Sequence, residues 1–296
     1  MQKLILFIAC LLTFNLYSQE VQKPIKFSSW NIKMLPKICH FFSNKDKMWQ
    51  EKRLKVIIAF LKNSNTSIIQ LQEVFDVDAV KEIQKELKHK FPYIIYPKSQ
   101  FLKFSNGLMV LSKMPIKLEK TIFFNNHKLH DAFVSKGAIL YSLEHDFQKM
   151  YIVNTHLQSD YKIATSEILR GQQLAQIMDE IVEPVQKHRS PVLLAGDYNF
   201  DLKSKEYVYF VENLNLKETC FEKSDKVYTF DNKNFWNHDV KSETLDHIFI
   251  LDKNNTISFS NLSLISPKMN DLVDYSDHYG LEISINLMSK YYVMEK

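Results

Sequence analysis

Glycine is scarce: there are five in 296 residues, none in a Gly-x-Gly-x-x-Gly or Gly-x-x-x-x-Gly-Lys arrangement. Loops that cradle nucleotide phosphates rely on such glycines, so a cofactor held in that way is not expected. Cysteine is scarcer still, with three residues and no Cys-x-x-Cys, and no His-Glu-x-x-His occurs. The usual structural and catalytic zinc patterns are therefore missing. The formal net charge is +4, with no concentrated basic stripe of the kind that nucleic-acid binding wants. The chain also lacks internal repeats, low-complexity tracts and a linker. The apolar run near the N-terminus, Leu4 to Leu12, is too short to span a bilayer comfortably.

What is present is core material. The chain is 45% hydrophobic and 24% charged, with 21 Phe and 14 Tyr, far from a disordered composition. Lys3, the run Leu4 to Leu12 and Asn15-Leu-Tyr-Ser18 read as a signal peptide over residues 1–18, cut after Ser18. Phe7-Ile-Ala-Cys10 loosely resembles a lipoprotein box, so lipidation at Cys10 is the alternative. With the leader removed, Cys39 and Cys220 remain, and whether they pair depends on their geometry. The mature chain is expected to be monomeric, secreted or periplasmic, with one domain over residues 24–290.

Periodicity orders the elements. Strands are expected at Ile25–Ile32, Ile68–Leu71, Tyr93–Tyr96, Gly107–Ser112, Gly137–His145, Met150–Asn154, Val192–Ala195, Ile248–Leu251 and Gly280–Asn286. Helices are expected at Trp49–Lys62, Ala79–His89, Ile163–Glu183 (closed by Pro184) and Ser204–Asn213, with residues 119–131 less regular. Two mixed sheets packed face to face, with helices outside, accommodate this order.

The chemistry gathers where strands end. Pro191-Val-Leu-Leu-Ala-Gly-Asp-Tyr-Asn199 is a buried strand that stops abruptly at a carboxylate and an amide. Alone it would be an ordinary turn, but the pattern recurs: Asn31, Glu73, His156, Asp246 and His278 each sit at the edge of an apolar run. Six strands offering such groups point to one site at one edge of packed sheets. Asn31, Glu73, Asp197 and Asn199 are hard oxygen donors, which suit Mg²⁺ or Mn²⁺. His-Asp neighbours are common in this chain, so His278 stands out only by its company.

Gln72-Glu73, Thr155-His156, Asp197-x-Asn199 and Ser276-Asp-His278 resemble the endonuclease/exonuclease/phosphatase superfamily, which has the DNase I fold. Within it the chain looks most like the bacterial neutral sphingomyelinases. That likeness rests on Asn31-x-x-Met-Leu35, Glu73-Val-Phe-Asp76, Ser135-Lys-Gly137, Thr155-His-Leu-Gln158, Arg170-x-x-Gln173-Leu and Tyr275-Ser-Asp-His-Tyr279. These pieces span nearly the whole mature chain.

The resemblance implies an α/β fold, a DNase I-like four-layer sandwich. It makes Glu73 the main Mg²⁺ ligand with Asn31 close by, and His278, oriented by Asp277, the general base. Asp197 and Asn199 would hold the attacking water and the phosphate, with Asn199 or His278 at any second metal. His156 would donate to the phosphoryl oxygens, and Asp246 would support the catalytic histidine, leaving His247 structural. Asp131-x-x-x-x-Lys136 resembles a loop whose lysine meets the substrate, a surface lysine in a turn being the alternative. The implied reaction is hydrolysis of sphingomyelin to ceramide and phosphocholine at a membrane surface, with no stable nucleic-acid partner. A secreted DNase I-like nuclease and an inactive lipid-binding module are the other readings. One departure matters: Ser266 to Asp274 is short and has no aromatic, unlike the membrane-inserting hairpin of secreted sphingomyelinases. Phe41 and Phe42, or Phe123 and Phe124, would be substitute anchors or else core residues.

Overall fold

The computed structural model describes residues 23–40, 44–97, 105–126, 134–145, 148–160, 165–214, 216–218, 227–260, 262–270 and 272–287. The expected leader, Phe41, Phe42, Asp131 and Cys220 lie outside the described residues, and Cys39 is an exposed free thiol. Among the described residues, no helix is long and apolar enough to cross a membrane.

In chain order the first half comprises β1 (Ile25–Met34), α1 (Asn44–Asn63), β2 (Ile68–Val74), α2 (Val77–Leu87), β3 (Tyr93–Ile95), β4 (Met109–Ser112), β5 (Ile116–Phe123), β6 (Gly137–His145) and β7 (Gln148–His156). The second half comprises α3 (Ser166–Ile177), β8 (Val192–Asp197), α4 (Lys205–Leu214), β9 (Lys217–Glu218), β10 (Asp246–Leu251), β11 (Ile257–Phe259), β12 (Ser263–Ile265), β13 (Lys268–Met269), β14 (Val273–Asp274) and β15 (Gly280–Leu287). One sheet runs β11-β15-β1-β2-β4-β3, with β12 also on β15, and the other runs β5-β6-β7-β8-β10-β9. Both are mixed: β1–β2 and β7–β8 are parallel, and their other pairings are antiparallel.

Period-two alternation decides which side chains face which layer. Ile25 and Phe27 of β1, Ile152 of β7, Leu193 and Ala195 of β8, and Ile248 and Ile250 of β10 pack between the sheets. Their neighbours Trp30 and Ile32 pack outward with Leu54, Ile57 and Leu61 of α1 and Ile83 of α2. Val153, Leu194 and Phe249 face Leu174 and Ile177 of α3 and Phe210 of α4. The result is helix, sheet, sheet, helix, the four-layer α/β sandwich of the DNase I type expected above.

Some local expectations fail for identifiable reasons. The stretch 119–131 was expected to be irregular, yet β5 occupies Ile116–Phe123, where Lys117, Glu119 and Lys120 populate a sheet edge. A register shift between Leu118 and Lys120 breaks the alternation that would have revealed it. Pro184 does not close the long helix either. A π-helical turn, Met178–Val182, follows α3, and Pro184 sits at the start of a further helical turn, Glu183–Gln186. Proline cannot supply the N–H that Glu180 O would receive in a regular helix. Lys120 Nζ donates to that carbonyl instead at 2.8 Å. Phe124 is core, 3% exposed.

Candidate active site

The register brings the polar strand ends together. β7 and β8 run parallel with His156 opposite Asp197, and antiparallel β10 sets Asp246 opposite Asp197 from the other side. All three belong to the inward-facing alternation of their strands, beyond the apolar core. Asn31 continues the inward face of β1 after Phe27 and Ser29 in the same way. Glu73 does not follow this rule. Gln70 and Gln72 take the inward positions of β2, so regular alternation would turn Glu73 toward the helices. Its backbone is left-handed (φ 57°), as is that of Lys33 (φ 48°), and the β1–β2 register shifts between Asn31 and Met34. This irregularity re-aims the carboxylate into the site. On β8, Gly196 has φ 150°, and a Cβ there would lie 2.1 Å from Thr155 O. Only glycine lets β8 approach β7 closely enough to set Asp197 in place.

Asn31 Nδ2 donates to both Glu73 Oε1 (3.0 Å) and Asp197 Oδ2 (2.9 Å). His156 Nε2 lies 4.0 Å from Glu73 Oε1 and 3.5 Å from Asp197 Oδ2. His278 Nδ1 meets Asp246 Oδ2 at 2.8 Å, and its Nε2 faces Asp197 Oδ2 across 3.8 Å. Asn199, left-handed at φ 53°, donates its N–H to Asp197 Oδ1 and its side-chain amide to Leu157 O. Lys136 Nζ donates to the same carbonyl at 2.7 Å and lies 3.0 Å from His156 Nε2. Glu73, Lys136, His156, Asp197, Asn199 and His278 line a cleft of about 760 Å³.

Two expectations need correction. Asp277, beside His278 in sequence, does not orient it: Asp277 Oδ2 accepts from Lys33 Nζ at 2.6 Å. Successive residues point apart, and Asp246, thirty-two positions upstream of His278, supplies the carboxylate at Nδ1. His156 also differs from its expected role as phosphoryl donor. A lysine ammonium only donates, so His156 Nε2 accepts from Lys136 and the imidazole proton sits on Nδ1, which is buried without a partner. The hydrogen-bond donor facing the cleft at this point is Lys136. It is 3% exposed, and so is not a surface lysine. His247 turns outward, its Nε2 on Phe200 O and its ring stacked on Phe200 and Phe249.

Burial shapes the electrostatics. Burial, with Asp277 adding to it, raises the Glu73 carboxyl above its usual range. Asp197 is pushed up to about 7, chiefly by burial, against the pull of His278. Burial works to keep His278 neutral, but Asp246 and Asp197 outweigh it and lift the imidazole to about 10. His156, desolvated and beside Lys136, is held well below the usual histidine value. Asp277 is buried too, yet Lys33 and His278 hold it down at about 2.

Residues 12–278 match the Endonuclease/Exonuclease/phosphatase family. The chain belongs to that family. Among curated relatives, Sphingomyelinase C 2 of Leptospira interrogans is 25% identical over 248 residues, covering 76% of this chain and 39% of the relative. The chain thus spans about two fifths of that protein's length. Phospholipase C of Staphylococcus aureus is 22% identical over 297 residues, covering 90% of this chain and 88% of the relative. A beta toxin of Staphylococcus aureus, solved with bound magnesium ions, superposes with a TM-score of 0.71 at 20% identity, covering 88% of this chain and 99% of that one. At that identity the structural likeness establishes the fold. Members of this family hydrolyse phosphodiesters.

The donor set fits a hard divalent cation. Glu73, His156 and Asp197 form one convergent group, and Asp197, Asp246 and His278 another, each with ligand atoms within 4.8 Å of one another. The Asn31 amide bridges the half-buried Glu73 and the buried Asp197, whose carboxyls are both raised chiefly by desolvation, and a cation would relieve the same electrostatic deficit. Sequence patterns gave no warning of several supporting residues. Asn234 and Asn237 donate to the carbonyls of Ser276 and Asp277, Ser276 Oγ reaches Asn31 O, and Trp30 Nε1 reaches His278 O. Phe230 packs on the His278 ring at 5.1 Å. The Asn pair within Asn232-Lys-Asn-Phe-Trp-Asn237 was the available signal, a polar loop bearing large aromatics.

Proposed function

We propose that this protein is an exported, Mg²⁺-dependent phosphodiesterase that cleaves sphingomyelin, or a related sphingophospholipid, into ceramide and phosphocholine. The observation that carries the reading is the composition of the cleft. Leu35, Pro36, Ile38, Phe75, Val134 and Val240 form an apolar wall beside Glu73, Asp197 and His278. A lipid bears its phosphodiester next to hydrocarbon, and such a wall would hold it with the phosphorus at the carboxylates. A nuclease cleft would need cations along a strand track. The cations here are Lys136, directed at Leu157 O and His156, and Lys241, paired with Glu243.

The residues divide the work. Asp246 holds the proton on His278 Nδ1, which leaves Nε2 as the base facing the cleft. Nε2 takes a proton from water held against Asp197, the water oxygen forms its bond to phosphorus as the bond to the ceramide oxygen breaks, and the ceramide oxygen takes up a proton from solvent to leave as the hydroxyl. Lys136 and the Asn199 region face the phosphoryl oxygens, where negative charge grows. Mg²⁺ or Mn²⁺, when bound by Glu73 with Asn31 and Asp197 beside it, supplies charge neutralisation at the phosphoryl group. The protein would act as a monomer at a membrane surface, outside the cytoplasm after loss of its leader.

The test offers purified protein with Mg²⁺ four substrates side by side: sphingomyelin, ceramide phosphoethanolamine, phosphatidylcholine and DNA. Faster turnover of the sphingolipids supports the reading. Cleavage of DNA alone would replace it with the nuclease.

A further inference from the structure

Arg53 takes no part in the reaction outlined above, yet it is 3% exposed and no carboxylate is bonded to it among the described residues. Its Nη2 donates to Ile32 O (3.3 Å) and to Lys33 O, and its guanidinium lies 5.3 Å from the Trp236 ring centre. No described residue accepts from Nε or Nη1, so those N–H groups are left to the cavity that Arg53 lines. That cavity, about 280 Å³, is also lined by Lys33, Trp49 and Trp236, and it shares Leu35 and Cys39 with the catalytic cleft. The two indoles meet edge to face at 5.8 Å, and Lys52 Nζ lies 5.3 Å from the Trp49 ring. Phe235, whose ring lies 6.2 Å from that of Trp49 and 5.0 Å from that of Trp236, is exposed beside them.

We propose that this cavity is a second lipid site, which takes the phosphate of an anionic phospholipid and seats the protein on an anionic bilayer beside the catalytic cleft. Three features converge on that occupant. A buried guanidinium with unused N–H groups is a fork suited to phosphate oxygens, and Lys33 adds positive charge despite its bond to Asp277. Tryptophan settles at the boundary between water and hydrocarbon, where a phospholipid phosphate also lies. The shared wall with the cleft puts the site on the same face as the bond to be cleaved. The exposed Phe235 beside the two indoles favours a lipid phosphate over free phosphate, because a soluble anion gains nothing from an exposed aromatic ring. The aromatics absent from the β13–β14 hairpin thus stand on an adjoining loop: Phe235 N and Trp236 Nε1 bond Asp274 of β14.

The inference rests on the phospholipid reading of the cleft, so its test is a binding measurement without turnover. Full-length protein in EDTA is titrated with phosphatidylcholine vesicles, with and without a fifth of phosphatidylglycerol. Co-sedimentation and tryptophan emission are read, since Trp49 and Trp236 are two of the three tryptophans. The expected result is binding about tenfold tighter to the anionic vesicles, from one or two charge-assisted hydrogen bonds, with a blue shift of emission. Glycerol 1-phosphate should compete. Arg53→Gln should lose the preference. Because Arg53 also holds strand carbonyls, Trp49→Ser, at the cavity mouth, provides a second variant that should weaken vesicle binding with the guanidinium in place. Equal binding to both vesicles, or an anionic preference intact in both variants when folded, overturns the proposal. So does inorganic phosphate that shifts emission fully while vesicles do not bind, or Arg53-dependent binding of single-stranded DNA in place of vesicles. Arg53-dependent vesicle binding by a protein that hydrolyses no phosphodiester would sink the reading of the cleft and leave this site standing.

Discussion

Replacing Asp246 by Asn tests the geometry at its most specific point. Asp246 Oδ2 accepts from His278 Nδ1 at 2.8 Å, both residues are buried, and Asp246 N is itself held by Thr229 Oγ1 at 3.1 Å. The amide would be isosteric but could present N–H to Nδ1, turning the imidazole proton onto Nε2 and removing the base. A buried hydrogen bond to a charged group contributes roughly 1.5–3 kcal/mol, or about ten- to a hundredfold in rate. Loss of tautomer control in the comparable serine-protease triad costs about ten-thousandfold. The expected loss of turnover for Asp246→Asn is therefore about 10²–10⁴. Asp277→Asn should lose less than about tenfold in turnover, while the stranded Lys33 lowers stability by about 1–3 kcal/mol. The pH profile adds a sign. His278 must be neutral to act, so activity rises with pH through its pKa, and Asp246 is a main cause of its elevation. Residual activity of Asp246→Asn should have its acid limb at lower pH than wild type. Steady-state hydrolysis of sphingomyelin with saturating Mg²⁺, over pH 5 to 10, measures both. Equal losses in the two variants would refute the assignment of Asp246 as the orienting carboxylate.

Glu73→Gln should raise the Mg²⁺ concentration for half-maximal activity, and an unchanged titration would remove Glu73 from the ligand set. Mg²⁺ affinity should weaken as pH falls through about 7, where Asp197 takes up a proton, by up to about tenfold per unit for one competing proton. Calorimetry in buffers of different ionisation enthalpy would detect the proton released on binding. His278→Ala should lose about a hundredfold or more in turnover, whereas His247→Ala should lower the melting temperature and leave turnover per folded molecule nearly unchanged. Gly196→Ala, with its Cβ against Thr155 O, should cost on the order of 3 kcal/mol or more in a denaturant titration.

Much of this was legible in the chain because strand chemistry is periodic. An apolar run that ends in Asp197, or in Asn154-Thr-His156, can be read as a buried strand delivering its last side chain to an edge. Other features were not legible. Glu73 reaches the site through a left-handed residue and a register shift, and a strict period of two would have pointed it the other way. Adjacency gave the orienting role at His278 to Asp277 and left Asp246 as a support, whereas the antiparallel register of β8 and β10 makes Asp246 the orienting carboxylate. Edge strand β5 escaped because charged residues at a sheet edge look like a loop. Arg53 carries no sequence signal that sets it apart within its helix, and only packing shows that it is buried.

The central claim is that water, activated at His278, attacks phosphorus in a metal-dependent site. It is tested most directly by sphingomyelin hydrolysis in ¹⁸O-labelled water, with mass analysis of both products. With Mg²⁺ present, the label should appear in phosphocholine and not in ceramide, and EDTA should abolish both products. Label in the ceramide hydroxyl, or undiminished hydrolysis in EDTA, would contradict the account.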